Sequence, residues 1–199
     1  MPAPSHLLYL HGFRSSPQSM KARRMARWAA EQAPAGLTFW SPQLPPSPAE
    51  AVALIEAGIA GWPAGRSAVI GSSLGGWYAT VIAERHGWPA VLLNPAVNPA
   101  RDLATYIGEQ TSWHDPEERF FFRPEFIDEL RALQPPAPLT RPSRYHAVIA
   151  TGDEVLDWRE MRARYAGCPG VLIEGSDHAL SDFEDHLPGV LAFLGFGPD

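Results

Sequence analysis

Gly71, Ser73 and Gly75 alternate with Ser72 and Leu74 between a short apolar run, Ala68-Val69-Ile70, and a helix-length stretch, Leu74 to His86, that Gly87 is placed to end. A G-x-S-x-G pattern in that setting calls for a sharp strand-to-helix turn that lifts the middle serine out of the sheet. Glycines on either side let the flanking backbone close around it. The helix N-terminus beneath adds a positive partial charge where an oxyanion would develop. A chain organised around such a turn needs further strands beside it and helices to cover them.

The rest of the chain supplies both. Leu7-Leu8-Tyr9-Leu10, Thr38-Phe39-Trp40, Ala90 to Leu93, Ala147-Val148-Ile149-Ala150 and Val171-Leu172-Ile173 are short apolar runs, suited to strands buried on both faces. Ser16-Pro17 predicts the start of a first helix. Ala22, Met25, Ala26, Ala29, Ala30 and Ala33 form its inner side; Lys21, Arg23, Arg24 and Arg27 form a solvated face. Ser47 to Glu50, Asp157 with Glu160, and Ser181 to Glu184 have the spacing of capping boxes. Alternating strands and helices imply an α/β fold, a mostly parallel sheet with helices on both faces.

From Asn94 to roughly Ser143 the alternation breaks, and Trp113, Phe120, Phe121, Phe122 and Phe126 stand among charges and prolines. So long a stretch is expected to hold helices of its own, as a lid-like insertion at about 98–145. With 199 residues, a single domain over 1–199 carrying that insertion is the simplest organisation.

Reactive groups in open α/β sheets collect at the carboxyl ends of the strands. Ser73 is the candidate nucleophile, and a serine hydroxyl needs a base. Of the histidines, His178 is the candidate: Gly175-Ser176-Asp177-His178 follows the last strand and precedes the last helix, whereas His86 and His186 lie within helices. The orienting acid should fall between the two in chain order. Asp153, directly after a strand and a glycine, is preferred; Asp157 is the alternative, with helix capping as a competing role, and Glu154 comes third. His11-Gly12-Phe13 follows the first strand, so Phe13 N–H and Leu74 N–H are the expected oxyanion-hole donors, with His11 bracing that loop.

Taken together, Leu8 to Phe13 with Ser15-Ser16-Pro17, Pro42-Gln43-Leu44-Pro45-Pro46, Gly71 to Gly76, Asn94-Pro95-Ala96-Val97, Thr151 to Asp157, Asp177-His178-Ala179 and Phe183-Glu184-Asp185 give the chain its family likeness. It resembles the YqiA-like esterases, a small bacterial branch of the α/β-hydrolases, over nearly its whole length. Trp77 and Trp158 stand where the relatives are expected to carry tyrosine, and the region from about Asp102 to Tyr145 resembles them least. The resemblance implies the α/β-hydrolase fold and an esterase or thioesterase acting on acyl esters.

Composition removes several other classes. With 16 Lys+Arg against 22 Asp+Glu, a net charge of −6, the chain lacks the basic surface that nucleic-acid binding relies on. The single cysteine, Cys168, cannot form an intramolecular disulfide and is read as structural. Met1 to Ser5 carries neither the basic stretch nor the apolar run of a signal peptide, and no apolar run approaches the roughly 20 residues of a membrane span, so a cytoplasmic protein is expected. With no H-E-x-x-H, Walker loop or G-x-G-x-x-G, no metal or cofactor is expected. The expected activity is serine hydrolysis of a small-molecule carboxylic ester or thioester through Ser73, His178 and Asp153. An acyl-CoA or acyl-protein thioesterase is the runner-up; a catalytically silent ligand-binding protein on a hydrolase fold is the alternative from another class. Arg14, beside the oxyanion loop, is read as a surface residue that could otherwise meet an anionic group.

Overall fold

The apolar runs pair into one six-stranded parallel sheet in a computed structural model that describes residues 3–115 and 117–197. Met1 and Pro2, on which the reading of the N-terminus partly rests, lie outside those residues. The strands are β1 (His6–Leu10), β2 (Thr38–Trp40), β3 (Ser67–Ser72), β4 (Ala90–Leu93), β5 (Gly108–Thr111), β6 (Arg119–Phe122), β7 (Tyr145–Ala150) and β8 (Gly170–Ile173). The helices are α1 (Met20–Glu31), α2 (Pro48–Ile59), α3 (Leu74–His86), α4 (Pro99–Asp102), α5 (Glu125–Ala132), α6 (Trp158–Arg164) and α7 (Phe183–Phe193). In the main sheet the order is β2-β1-β3-β4-β7-β8, while β5 and β6 form an antiparallel hairpin of their own.

Alternation along β1 sends Leu8 and Leu10 into one core and Leu7 and Tyr9 into another. The first core lies beneath α2, α3, α5 and α6; the second, smaller one lies beneath α1 and α7. Each core aliphatic removed from water contributes about 1.5–3 kcal/mol. The register pairs Leu10 with Gly71, Ser72 with Leu93, Leu93 with Val148 and Ala150 with Ile173. The carboxyl ends of five strands therefore open onto one edge. Among the described residues, no helix is long and apolar enough to cross a membrane.

Several local expectations need correction. The insertion is not wholly helical: besides α4 and α5 it contains the β5–β6 hairpin, with Gly108 opposite Phe122 and Thr111 opposite Arg119. Phe122 is buried and Phe121 is 58% exposed, the two-residue alternation of a strand. Helix α1 starts at Met20 rather than after Ser16, because Ser16 closes a separate turn: its hydroxyl accepts from Gln18 N–H (3.0 Å) and its carbonyl from Ser19 N–H (3.0 Å). Lys21 is not solvated but buried, on the same helical stripe as Met25 and Trp28.

The Ser181–Glu184 box does not form. Ser181 turns to the Asp177 carboxylate instead (2.8 Å from N–H, 2.6 Å from the hydroxyl), and Glu184 pairs with Arg24 at 2.5 Å. Asp157 does cap α6, accepting from Arg159 N–H at 2.9 Å, but Glu160 leaves that box for a two-pronged contact with Arg101. Ser47 caps α2 as its spacing predicts, accepting from Glu50 N–H at 3.1 Å.

Candidate active site

Between β3 and α3 the chain turns at Ser73, whose φ of 56° and ψ of −122° are strained for a residue with a side chain. A conformation of this kind costs of order 1–3 kcal/mol and persists only where the surroundings over-determine it. Here they do. Ser73 N–H donates to Leu93 O (3.0 Å), and its carbonyl accepts from Gly76 and Ala96 N–H (2.9 and 3.0 Å). A Cβ on Gly71 would fall 2.0 Å from Gly75 O, and one on Gly75 would fall 2.0 Å from Leu10 O. Both glycines are required by the closeness of backbone to backbone.

His178 reaches Ser73 from the loop between β8 and α7. Its Nε2 lies 3.0 Å from Ser73 Oγ, and its Nδ1 lies 2.7 Å from Asp153 Oδ2. A carboxylate can only accept, so the neutral ring carries its proton on Nδ1 and leaves Nε2 to accept from the serine hydroxyl. The Asp153 side chain is fully buried, and its other oxygen accepts from Val155 and Leu156 N–H, both at 2.8 Å. Those bonds aim the carboxylate at the imidazole. Of the other acids considered, Asp157 caps α6 and Glu154 accepts from His178 N–H at 2.9 Å, so neither is the ring's partner in this arrangement.

The loop after β1 approaches from the opposite side. A Cβ on Gly12 would stand 3.1 Å from Ser73 Cβ and 3.5 Å from Oγ. His11 is buried, and its Nε2 accepts from Leu44 N–H at 3.0 Å, so its proton sits on Nδ1 and is donated to Gly12 O at 2.9 Å. In a planar trans peptide the C=O and the next N–H point in opposite directions. Holding the Gly12 carbonyl therefore turns Phe13 N–H away from the His11 ring. Leu74 N–H, at the first position of α3, is one of the donors a helix leaves without an internal partner. Burial pushes the His11 pKa down to about 4, which keeps the ring neutral at pH 7 and suits it to bracing rather than proton transfer.

Beside this loop lies a cavity of about 210 Å³ lined by Phe13, Arg14, Gln43, Leu44, Tyr78 and Phe120 among others. The hairpin forms part of its wall and grips the loop. Phe13 packs edge-on against Phe120 and Phe122, with ring centroids 5.9 and 5.2 Å away. Arg14 donates from Nε to Thr111 O (2.7 Å), accepts at its carbonyl from Trp113 N–H (2.8 Å) and lays its guanidinium 4.2 Å from the centre of the Trp113 ring. It is anchored, not a free surface arginine. Cys168 packs at the edge of the larger core, where burial pushes its thiol up to about 11 and disfavours the thiolate.

Two residues that hold the site were not placed there by the sequence. Asn94, with no exposed surface, links β4, β7 and the His178 loop, although its Asn94-Pro95 motif gave no role. Lys21 donates to Ala179 O in the same loop. Its spacing to Met25 and Trp28, one and two turns on, was the signal available.

The backbone resembles several solved structures. One of the lipolytic enzymes LipS and LipT, derived from a metagenome, is 20% identical with a TM-score of 0.71, over 98% of this chain and 95% of that one. Mouse alpha/beta hydrolase domain-containing protein 10 is 15% identical with a TM-score of 0.68, over 98% and 92%. The monoacylglycerol lipase of Paleococcus ferrophilus is 14% identical with a TM-score of 0.68, over 99% and 97%. At such identities the likeness establishes the α/β-hydrolase fold. The model of an uncharacterised protein family, UPF0227, matches residues 6–195, and the chain belongs to that family, the YqiA-like branch of the α/β-hydrolases.

Proposed function

We propose that this protein is a serine hydrolase that cleaves small carboxylic esters or thioesters through an acyl-enzyme. The observation that carries the reading is the unbroken chain of hydrogen bonds from the buried Asp153 through His178 to Ser73 Oγ, at 2.7 and 3.0 Å. As Ser73 Oγ attacks the substrate carbonyl carbon, His178 Nε2 takes its proton, and the oxyanion is received by Phe13 and Leu74 N–H. Collapse of the tetrahedral intermediate breaks the bond to the alcohol or thiol, which leaves with the proton from His178. Water, deprotonated by the same ring, then attacks the acyl-enzyme, and the acid and free Ser73 are regenerated. Asp153 holds the ring in the reactive tautomer and stabilises its cationic form.

The cavity beside the oxyanion loop is lined by Phe13 and Leu74 but not by Ser73 or His178; at about 210 Å³, below the ~300–1,000 Å³ of sites that enclose a drug-sized ligand, it favours short acyl groups over long ones. The direct test pairs a fluorophosphonate probe with p-nitrophenyl esters of increasing chain length, on wild type and Ser73→Ala. Labelling and turnover that vanish in the variant, with rates falling from butyrate to longer chains, support the proposal. A folded wild type that neither labels nor turns over any ester or thioester would overturn it in favour of a silent binding protein.

A further inference from the structure

The loop that carries His178, residues 174–182, has no helix or strand to hold it, and three of its residues have positive φ: Gly175 at 78°, Ser176 at 58° and Leu180 at 49°. Two of those three are not glycine, so the loop would not keep this shape by local preference. Its first half is tied to the end of β7: Gly175 accepts from Gly152 N–H (3.0 Å) and donates to Thr151 Oγ1 (2.9 Å). Around His178 itself, three consecutive carbonyls take donors from side chains elsewhere. Asn94 Nδ2 donates to Asp177 O (3.0 Å) and His178 O (3.2 Å), and Lys21 Nζ donates to Ala179 O.

Both donors are costly choices. Asn94 has no exposed surface and a φ of 42°; its Oδ1 accepts from Ala150 N–H at 2.8 Å, which fixes which end of the amide faces the loop. Lys21 is 8% exposed, and burial lowers its pKa to about 8 even with Asp177 and Asp153 nearby to support its charge. Methionine would fill the place of Lys21 without desolvating a charge. A buried ammonium aimed at one loop carbonyl serves placement of that loop better than it serves core packing.

We propose that Asn94 and Lys21 are positioning residues that set the His178 imidazole against Ser73 by holding the carbonyls of residues 177 to 179. The inference rests on His178 being the base. Misplacement by about 1 Å costs on the order of 100-fold in rate, so small loop shifts should be visible in kcat.

The test compares Lys21→Met and Asn94→Asp with wild type, Ser73→Ala and His178→Ala. It reads kcat and KM on p-nitrophenyl butyrate, Tm, and the His178 Nδ1–H proton resonance. Asn94→Asp keeps the acceptor for Ala150 and loses both donors; Lys21→Met loses its donor while water can reach the carbonyl of exposed Ala179. The expected result is a kcat reduced roughly 10-fold in Lys21→Met and up to about 100-fold in Asn94→Asp. KM should stay nearly constant, the His178 resonance should broaden, and the Tm of Lys21→Met should be no lower than wild type. Wild-type kcat in both variants beside an inactive His178→Ala would overturn the inference and leave the base assignment standing. So would losses that follow a lowered Tm with the resonance unchanged. Wild-type turnover by His178→Ala would remove the base assignment and the inference with it. Should Asn94→Asp fail to fold, Lys21→Met decides alone.

Discussion

Ser73 stands between two loops that are held in place by different means. The loop after β1, residues 11–16, is gripped from outside the main sheet: Phe13 and Arg14 dock on the β5–β6 hairpin through aromatic edges, a backbone hydrogen bond and a stacked guanidinium. Inward, it is tied to the segment after β2: His11 Nε2 accepts from Leu44 N–H, and Ser15 O accepts from Gln43 Nε2 (3.3 Å). The loop after β8 is held by side chains from within, Asn94 at the end of β4, Glu154 after β7 and Lys21 from α1. Of the two groups that would receive the oxyanion, Phe13 N–H therefore depends on the insertion and Leu74 N–H on α3, while the group that would move the proton depends on the sheet and α1. Changes in the insertion can alter Phe13 N–H without disturbing His178.

The largest expected effect is common to both loops. Ser73→Ala should lower kcat by a factor on the order of 10⁶ and abolish fluorophosphonate labelling. On the proton-transfer side, Asp153→Asn should cost about 10⁴ in kcat by leaving the imidazole in the wrong tautomer. Wild-type rates in that variant would return the acid's role to Asp157.

Next in size is an acid sensitivity belonging to the oxyanion side. His11 titrates near 6.5 when unfolded and about 4 in the fold, so the unfolded chain takes up its proton first as the pH falls. Its contribution is complete above pH 6.5 and disappears as pH 4 is approached, about 3 kcal/mol in all. Denaturant melts of wild type and His11→Gln between pH 7 and 4 measure that share, which the variant should lack.

A smaller effect separates the loops most cleanly. Arg14→Ala and Trp113→Ala should each lower kcat about 10-fold, and the double variant should be little worse, because one latch opens only once. Arg14→Ala combined with Lys21→Met should instead multiply the two single losses. Additivity between Arg14 and Trp113 would mean that they do not form one latch; strong coupling across the loops would mean that the two supports are not separate. Smallest of all, Asp157→Ala should leave kcat unchanged and cost about 1 kcal/mol of stability by uncapping α6.

The same contrast explains what the amino-acid sequence revealed. The short apolar runs match the strands of the main sheet, and α3 spans Leu74–His86 as its flanking residues predict, because local preference and burial act in the same direction there. Ser73, His178 and Asp153 could be picked out by their place at strand ends, and the fold brings those three side chains together. The hairpin was not legible. Phe120-Phe121-Phe122 reads as a compact apolar block, and only pairing with Gly108–Thr111 decides that alternate rings face opposite ways. Lys21 and the Ser181 box failed for a related reason. A distant carbonyl in one case and the neighbouring Asp177 carboxylate in the other claim groups that spacing alone assigns to solvent or to a helix end.

One further consequence follows from where the site's parts lie along the chain. Ser73 and His178 are 105 residues apart, and Asp153 precedes His178 by 25, so the assembled site is a contact between early and late synthesis. A chain emerging from the ribosome could form β1 to β4 and raise the Ser73 turn well before an imidazole arrives to meet it. On the proposed chemistry, covalent labelling of Ser73 then counts finished molecules: a nascent, clipped or partly refolded chain stays unlabelled however much of it is structured.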